Sequence, residues 1–132
     1  MQRVATDLLS GQRSDGGWAQ LSTLSSDAYA TGQALVALNE SGSLEAASPA
    51  YQRGVNFLLN SQMEDGSWFV RTRTLPVQPY FDSDFPHGRN QFISGAATSW
   101  ATMALAPASA SATVRTNASK SRPGERAVEV KQ

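Results

Sequence analysis

The densest group of side chains able to do chemistry lies between residues 80 and 90, where Tyr80, Phe81, Asp82, Asp84, Phe85, His87, Arg89 and Asn90 fall together. Two carboxylates and an imidazole this close can form a general acid–base set or half of a metal site. A zinc or iron site needs three or four ligands. The chain has one histidine and no cysteine, so no metal site and no cofactor are expected. The third reading is structural: the aspartates cap turns, and His87 or Arg89 pairs with them across the loop. That reading carries most weight, and Asp82, Asp84 and His87 stand as the weak candidates for catalysis. Arg71 and Arg73, alternating in FVRTRT, could meet a phosphate. Without a glycine-rich cradle they read as a solvated loop edge.

What positions these residues is set by the rest of the chain. It has 132 residues, with 11 Lys+Arg against 11 Asp+Glu, enough for one modest domain. Zero net charge argues against a dedicated nucleic-acid binder, which carries a basic excess. No apolar run is long enough to span a bilayer. A charged-then-apolar start with a small-residue cleavage site is missing, which leaves the cytoplasm as the default compartment. The balance of charge hides a boundary: residues 1–105 hold six basic and nine acidic side chains, and residues 106–132 hold five and two. The second block contains no Leu, Ile, Met, Phe, Tyr or Trp. It cannot bury enough area to offset the entropy of ordering, so a disordered, basic tail is expected over 106–132.

The first block repeats itself. RVATDLLSGQRSDGGW (3–18) matches RGVNFLLNSQMEDGSW (53–68) at an offset of 50, and ATGQALVAL (30–38) matches ATSWATMAL (97–105) at an offset of 67. The units share a beginning and an end and differ by 17 residues inserted after Trp68. Repetition of this length marks stacked helical hairpins, here repeat one over 1–42 and repeat two over 49–105. In each first helix, Val4, Leu8 and Leu9, or Val55, Leu58 and Leu59, share a face. The Asp-Gly steps at 15–16 and 65–66 are expected to stop these helices. Asp27 and Ser94 are expected N-caps of the second helices, whose Ala-rich, nearly uncharged sequences read as buried. The long insertion sits at the rim where these second helices begin, the place where a rigid repeat scaffold carries binding function. Met1 opens almost directly into an outer helix, which predicts further sequence upstream.

The two copies of Gln, Gly and Trp (Gln12, Gly16, Trp18 and Gln62, Gly66, Trp68) fit the QW motif, and over residues 3–105 the chain resembles the squalene–hopene cyclase branch of the terpene cyclase and prenyltransferase α/α-toroids. The resemblance implies an all-α fold: two helical hairpins of an incomplete ring, with inner faces open unless further repeats or a second copy complete them. It also implies that the Gln and Trp residues are structural, stapling an outer helix to the next repeat. A Gln amide has donors and an acceptor to spare for a helix end, and an indole offers a flat face and one N–H.

Function follows from the resemblance only in part. Such cyclases protonate an alkene with the middle residue of an Asp-x-Asp-Asp motif. Here Asp82-Ser83-Asp84 is followed by Phe85, and at the expected inner-helix start only Asp27 of the motif survives. The chain therefore reads as a degenerate or truncated cyclase-like domain, inactive alone. Tyr29, Phe81, Phe85 and Trp100 would line its cavity for a hydrophobic, isoprenoid-like ligand. The prenyltransferase branch would require a zinc-binding cysteine, which the chain lacks. The alternative is a non-catalytic helical-repeat module that binds a protein or a lipid.

Overall fold

A computed structural model describes residues 2–75 and 81–120. Among these residues the chain is all-helical and without strands: α1 (Gln2–Ser10), α2 (Ala28–Glu40), α3 (Pro49–Ser61) and α4 (Gln91–Lys120), with a short 3-10 turn at Gly88–Asn90 before α4.

The helix starts follow local chemistry. The Asp27 carboxylate accepts the Ala30 N–H at 2.8 Å and so caps α2, satisfying one of the four amides a helix start leaves unpaired. Ser48 caps α3, with Pro49 in its first turn, where a missing N–H costs nothing. The α1 and α3 helices stop at Ser10 and Ser61, earlier than the Asp-Gly steps. Each Asp-Gly step instead makes a separate turn, beginning five residues beyond Ser10 and four beyond Ser61, with Gly16 at φ +87° and Gly66 at φ +82°.

Two expectations about α4 are corrected. Ser94 does not cap it: the helix begins one turn earlier, and Ser94 is buried inside it, its hydroxyl accepting the Val70 N–H at 3.0 Å. Nor does the helix end at residue 105. It runs through Pro107 to Lys120, so residues 106–120, expected to begin a disordered tail, are helical. Alternate alanines from Ala106 to Ala112 have the highest helix propensity, and extending an existing helix avoids the cost of nucleating one. Residues 121–132 of the expected tail lie outside the described residues, as does Tyr80.

Packing separates two layers. The α2 and α4 helices lie against each other at the centre, α3 packs on both, and α1 packs on α2 alone. The central contact is tight because of small residues: a methyl group on Gly32 would lie 2.7 Å from the Trp100 carbonyl carbon. Ala28, Thr31, Ala34, Leu35 and Leu38 of α2 and Ala97, Ala101 and Ala104 of α4 are buried. From α3, Tyr51, Val55 and Leu58 enter the same core, and the buried Tyr51 hydroxyl donates to the Ala104 carbonyl at 2.7 Å. The outer helices keep Arg3, Asp7, Arg53 and Asn56 in water. The apolar stripe is only partly used: Val4 is 71% exposed and Leu59 52%.

Candidate functional site

The same brace is built twice. After α1, Gln12 Nε2 donates to the Gly16 carbonyl at 2.9 Å, and after α3, Gln62 Nε2 donates to the Gly66 carbonyl at 2.9 Å. Asp15 accepts the Gly17 N–H and Asp65 the Ser67 N–H, at 2.9 and 3.0 Å. Trp18 Nε1 then donates back to the Leu8 carbonyl and Trp68 Nε1 to the Leu58 carbonyl, at 2.7 and 2.8 Å. These carbonyls belong to last turns, where the regular backbone bond of the helix is lost; each indole bond adds to a weaker one, from the Gly11 N–H to Leu8 and from the Ser61 hydroxyl to Leu58, both at 3.1 Å. The backbone N–H of each Trp meets a threonine of the following helix, Thr31 at 2.9 Å and Thr98 at 3.1 Å. Both indoles are buried, at 4% and 2% exposure. Each Trp thus ties its own outer helix to its own inner helix.

Among the described residues, only the first turn reaches a second hairpin. Gln12 Nε2 also donates to the Ala50 carbonyl at 2.8 Å, and Arg53 Nη2 donates to Gln12 Oε1 at 2.6 Å. Thr31, Thr98 and Arg53 are not among the residues that the sequence singles out as candidates, although the signal is present: a Thr occupies the second position of both inner-helix copies, and Arg the same position of both outer ones.

Beside this brace lies a cleft of about 460 Å³ between α1 and α2, lined by Leu8, Trp18, Ala19, Gln20, Tyr29, Ala30, Gln33, Ala34 and Ala37. Its volume falls within the roughly 300–1,000 Å³ of small-ligand sites. A second cleft of about 370 Å³ shares Leu8, Trp18 and Ala19 and adds Gly11, Arg13, Leu21 and Ser22. Arg13 shapes its far wall by donating to the Leu24 and Ser22 carbonyls. At the rim of the larger cleft, Gln20 donates to Asp27 Oδ2 at 2.7 Å and accepts from Arg73. The insertion is thereby tied to the start of α2. Arg73 is a clamp on Gln20 in this arrangement, not a free edge residue.

Of the four residues expected to line one cavity, only Tyr29 lines the larger cleft. Phe81 is 68% exposed. Phe85 lies against Gly95 and meets the His87 ring edge-on at 6.4 Å. Trp100 packs its backbone and Cβ over Gly32. Hydrophobicity alone marked these residues, and it cannot say which surface each one joins.

Asp82, Asp84 and His87 are not brought together. The Asp82 carboxylate accepts the Asp84 N–H at 3.0 Å, an Asx turn, and Asp84 itself adopts φ 60°. His87 turns away, its Nε2 2.7 Å from Ser67 Oγ, and Ser67 Oγ donates to Asp65 at 2.6 Å. This Ser67 bond, the Ser67 N–H and nearby His87 hold the Asp65 carboxyl below its ordinary value. His87 thus pairs with Ser67 and, through it, Asp65, not with the aspartates of its own loop. Among the described residues, no three His, Asp or Glu side chains gather as a metal site would require, and no helix is long and apolar enough to cross a membrane.

No known family, no curated protein and no solved structure matches the chain.

Proposed function

We propose that the chain is a two-hairpin segment of a squalene-cyclase-like α/α array, a non-catalytic wall of a cavity for an isoprenoid-like ligand. The observation that carries this reading is the repeated Gln–Gly–Trp brace, with equivalent bonds at both ends of a 50-residue offset. The apolar part of the cleft, formed by Leu8, Tyr29, Ala30, Ala34 and Ala37, supplies a surface for a hydrocarbon chain, whose burial gains about 25 cal/mol per Å². Gln20 and Gln33 place amides at the wall, able to bond a terminal hydroxyl.

The inactivity of the chain alone rests on the setting of its carboxylates. Asp82 and Asp84 are exposed, whereas an acid that protonates an alkene must work where water is excluded. The chain should take up farnesol saturably, as read by equilibrium dialysis, and should turn squalene into no cyclised product. Ala37→Phe, at an exposed position of α2 facing the cleft, should weaken uptake about tenfold, as expected for a filled pocket. Unsaturable uptake, or uptake indifferent to Ala37→Phe, removes the ligand reading. Cyclised product that disappears with Asp84→Asn removes the non-catalytic one.

A further inference from the structure

We infer that the second Gln–Gly turn is a docking socket for α1 of another copy of this chain, so that copies join head to tail. The inference rests on the repeat-array reading above and specifies its partner. The interface to be formed already exists once inside the molecule. There, the first turn seats α3: Arg53 donates to Gln12, and the Gly16 α-carbon lies so close to the Arg53 backbone that a methyl group would be 2.4 Å from its carbonyl oxygen. Gly17 faces the Phe57 ring, and Gly54 faces the Leu35 side chain.

The second turn has the same shape, and among the described residues no helix is seated on Gly66, although Ser67 beside it is buried and bonded to His87 at 2.7 Å. A methyl group on Gly66 would meet only the Gln62 amide, at 4.0 Å, and Gln62 is exposed. At the offset of 50, the helix that corresponds to α3 is α1, with Arg3 in the place of Arg53. Arg3 is exposed and its side chain makes no bond among the described residues. Docked by the same geometry, Arg3 would donate to Gln62 Oε1 and its backbone would cover Gly66.

A further contact changes as a matched pair: Gly54 against Leu35 becomes Val4 against Thr102. Where one side gains bulk, its partner loses it, which is what a close-packed contact demands. Apolar exposure points to the same end. Leu9 and Val36 pack on the core, but their counterparts Leu59 and Met103 are 52% and 53% exposed. Val4, the counterpart of Gly54, is also open. Such a contact is heterologous, with different patches on the two copies, and it propagates until the rotation closes a ring or forms a filament.

The test uses the full chain and two variants, each damaging one patch. Arg3→Glu spoils the α1 side, and Thr102→Arg spoils the socket side at an exposed position of α4. By sedimentation equilibrium, the wild-type chain should assemble with concentration in the micromolar range. Each variant alone should assemble at least about tenfold more weakly. Their mixture should form a one-to-one pair, because one intact α1 still meets one intact socket. Circular dichroism checks that both variants keep the wild-type helix content; if either does not, Val4→Asp and Met103→Arg replace them. A wild-type chain that stays monomeric, variants that assemble like wild type, or a mixture that forms no pair overturns the proposal. A monomer that still takes up farnesol removes this docking and leaves the cavity reading standing, whereas an assembly that takes up none does the reverse.

Discussion

Arg53 and Gln12, 41 residues apart, meet at 2.6 Å, and the same glutamine amide bonds the Ala50 carbonyl at 2.8 Å. This junction joins the two hairpins, and it makes two glutamines of one motif unequal in energy. Among the described residues, the Gln12 side chain makes three bonds, two of them across the junction, whereas that of Gln62 bonds only within its own turn.

Gln12→Ala should therefore destabilise the chain by about 2 kcal/mol and Gln62→Ala by about 1 kcal/mol, at roughly 1 kcal/mol per bond with a discount for the exposed guanidinium. Urea unfolding at a concentration where the chain is monomeric measures the difference. Equal costs would show that the junction contributes nothing.

The glycines of the two turns divide in the same way. Both adopt positive φ, so alanine at either costs about 1–2 kcal/mol of backbone strain. Only at Gly16 does the new methyl also strike the Arg53 carbonyl. Gly16→Ala should cost several kcal/mol and shift the Trp18 emission to the red. Gly66→Ala in the monomer should cost no more than the strain.

Gly32→Ala tests the central contact. Alanine raises helix propensity by about 1 kcal/mol, but its methyl would sit 2.7 Å from the Trp100 backbone. Backbone cannot rotate away as a side chain can, so overpacking of about 3 kcal/mol should win. A net loss of about 2 kcal/mol, seen as a lower Tm, is expected. A stabilised variant would mean that α2 and α4 lie further apart.

Two groups should make stability depend on pH in opposite directions. The Asp65 carboxyl is held below its ordinary value, chiefly by the Ser67 hydroxyl bond. Its contribution is therefore complete above the ordinary carboxylate range and is lost as pH falls through the lowered folded value. Tyr51 is pushed up, first by burial and then by Glu40. Its contribution is present below the ordinary tyrosine value and is lost as pH rises through the folded one. Urea midpoints of Asp65→Asn should fall less steeply in acid than those of wild type. Tyr51→Phe should lose about 1 kcal/mol at neutral pH with the Ala104 bond and should flatten the alkaline limb.

Much of this architecture is legible in the amino-acid order because it is local. The positive-φ turns need glycine at 16 and 66, the Asp27 cap needs a short acceptor three residues before Ala30, and Trp18 and Trp68 reach carbonyls only ten residues back. Interactions that close within a dozen residues leave their mark as fixed spacing, and a second copy at constant offset confirms that the spacing matters. The Ala-rich stretches likewise declare inner helices, since only small side chains permit the approach seen at Gly32.

The tertiary structure decided which neighbours are present. Val55 and Val4 occupy neighbouring places in the same helical pattern, yet Val55 is 6% exposed and Val4 71%, because α3 lies across both inner helices and α1 touches one. His87 finds Ser67 rather than the aspartates of its own loop, and Phe81, Phe85 and Trp100 scatter to separate surroundings. Periodicity fixes which side of a helix is apolar. Whether that side is covered depends on how distant segments pack, and the same residues at the same spacing are therefore core in one hairpin and open surface in the other.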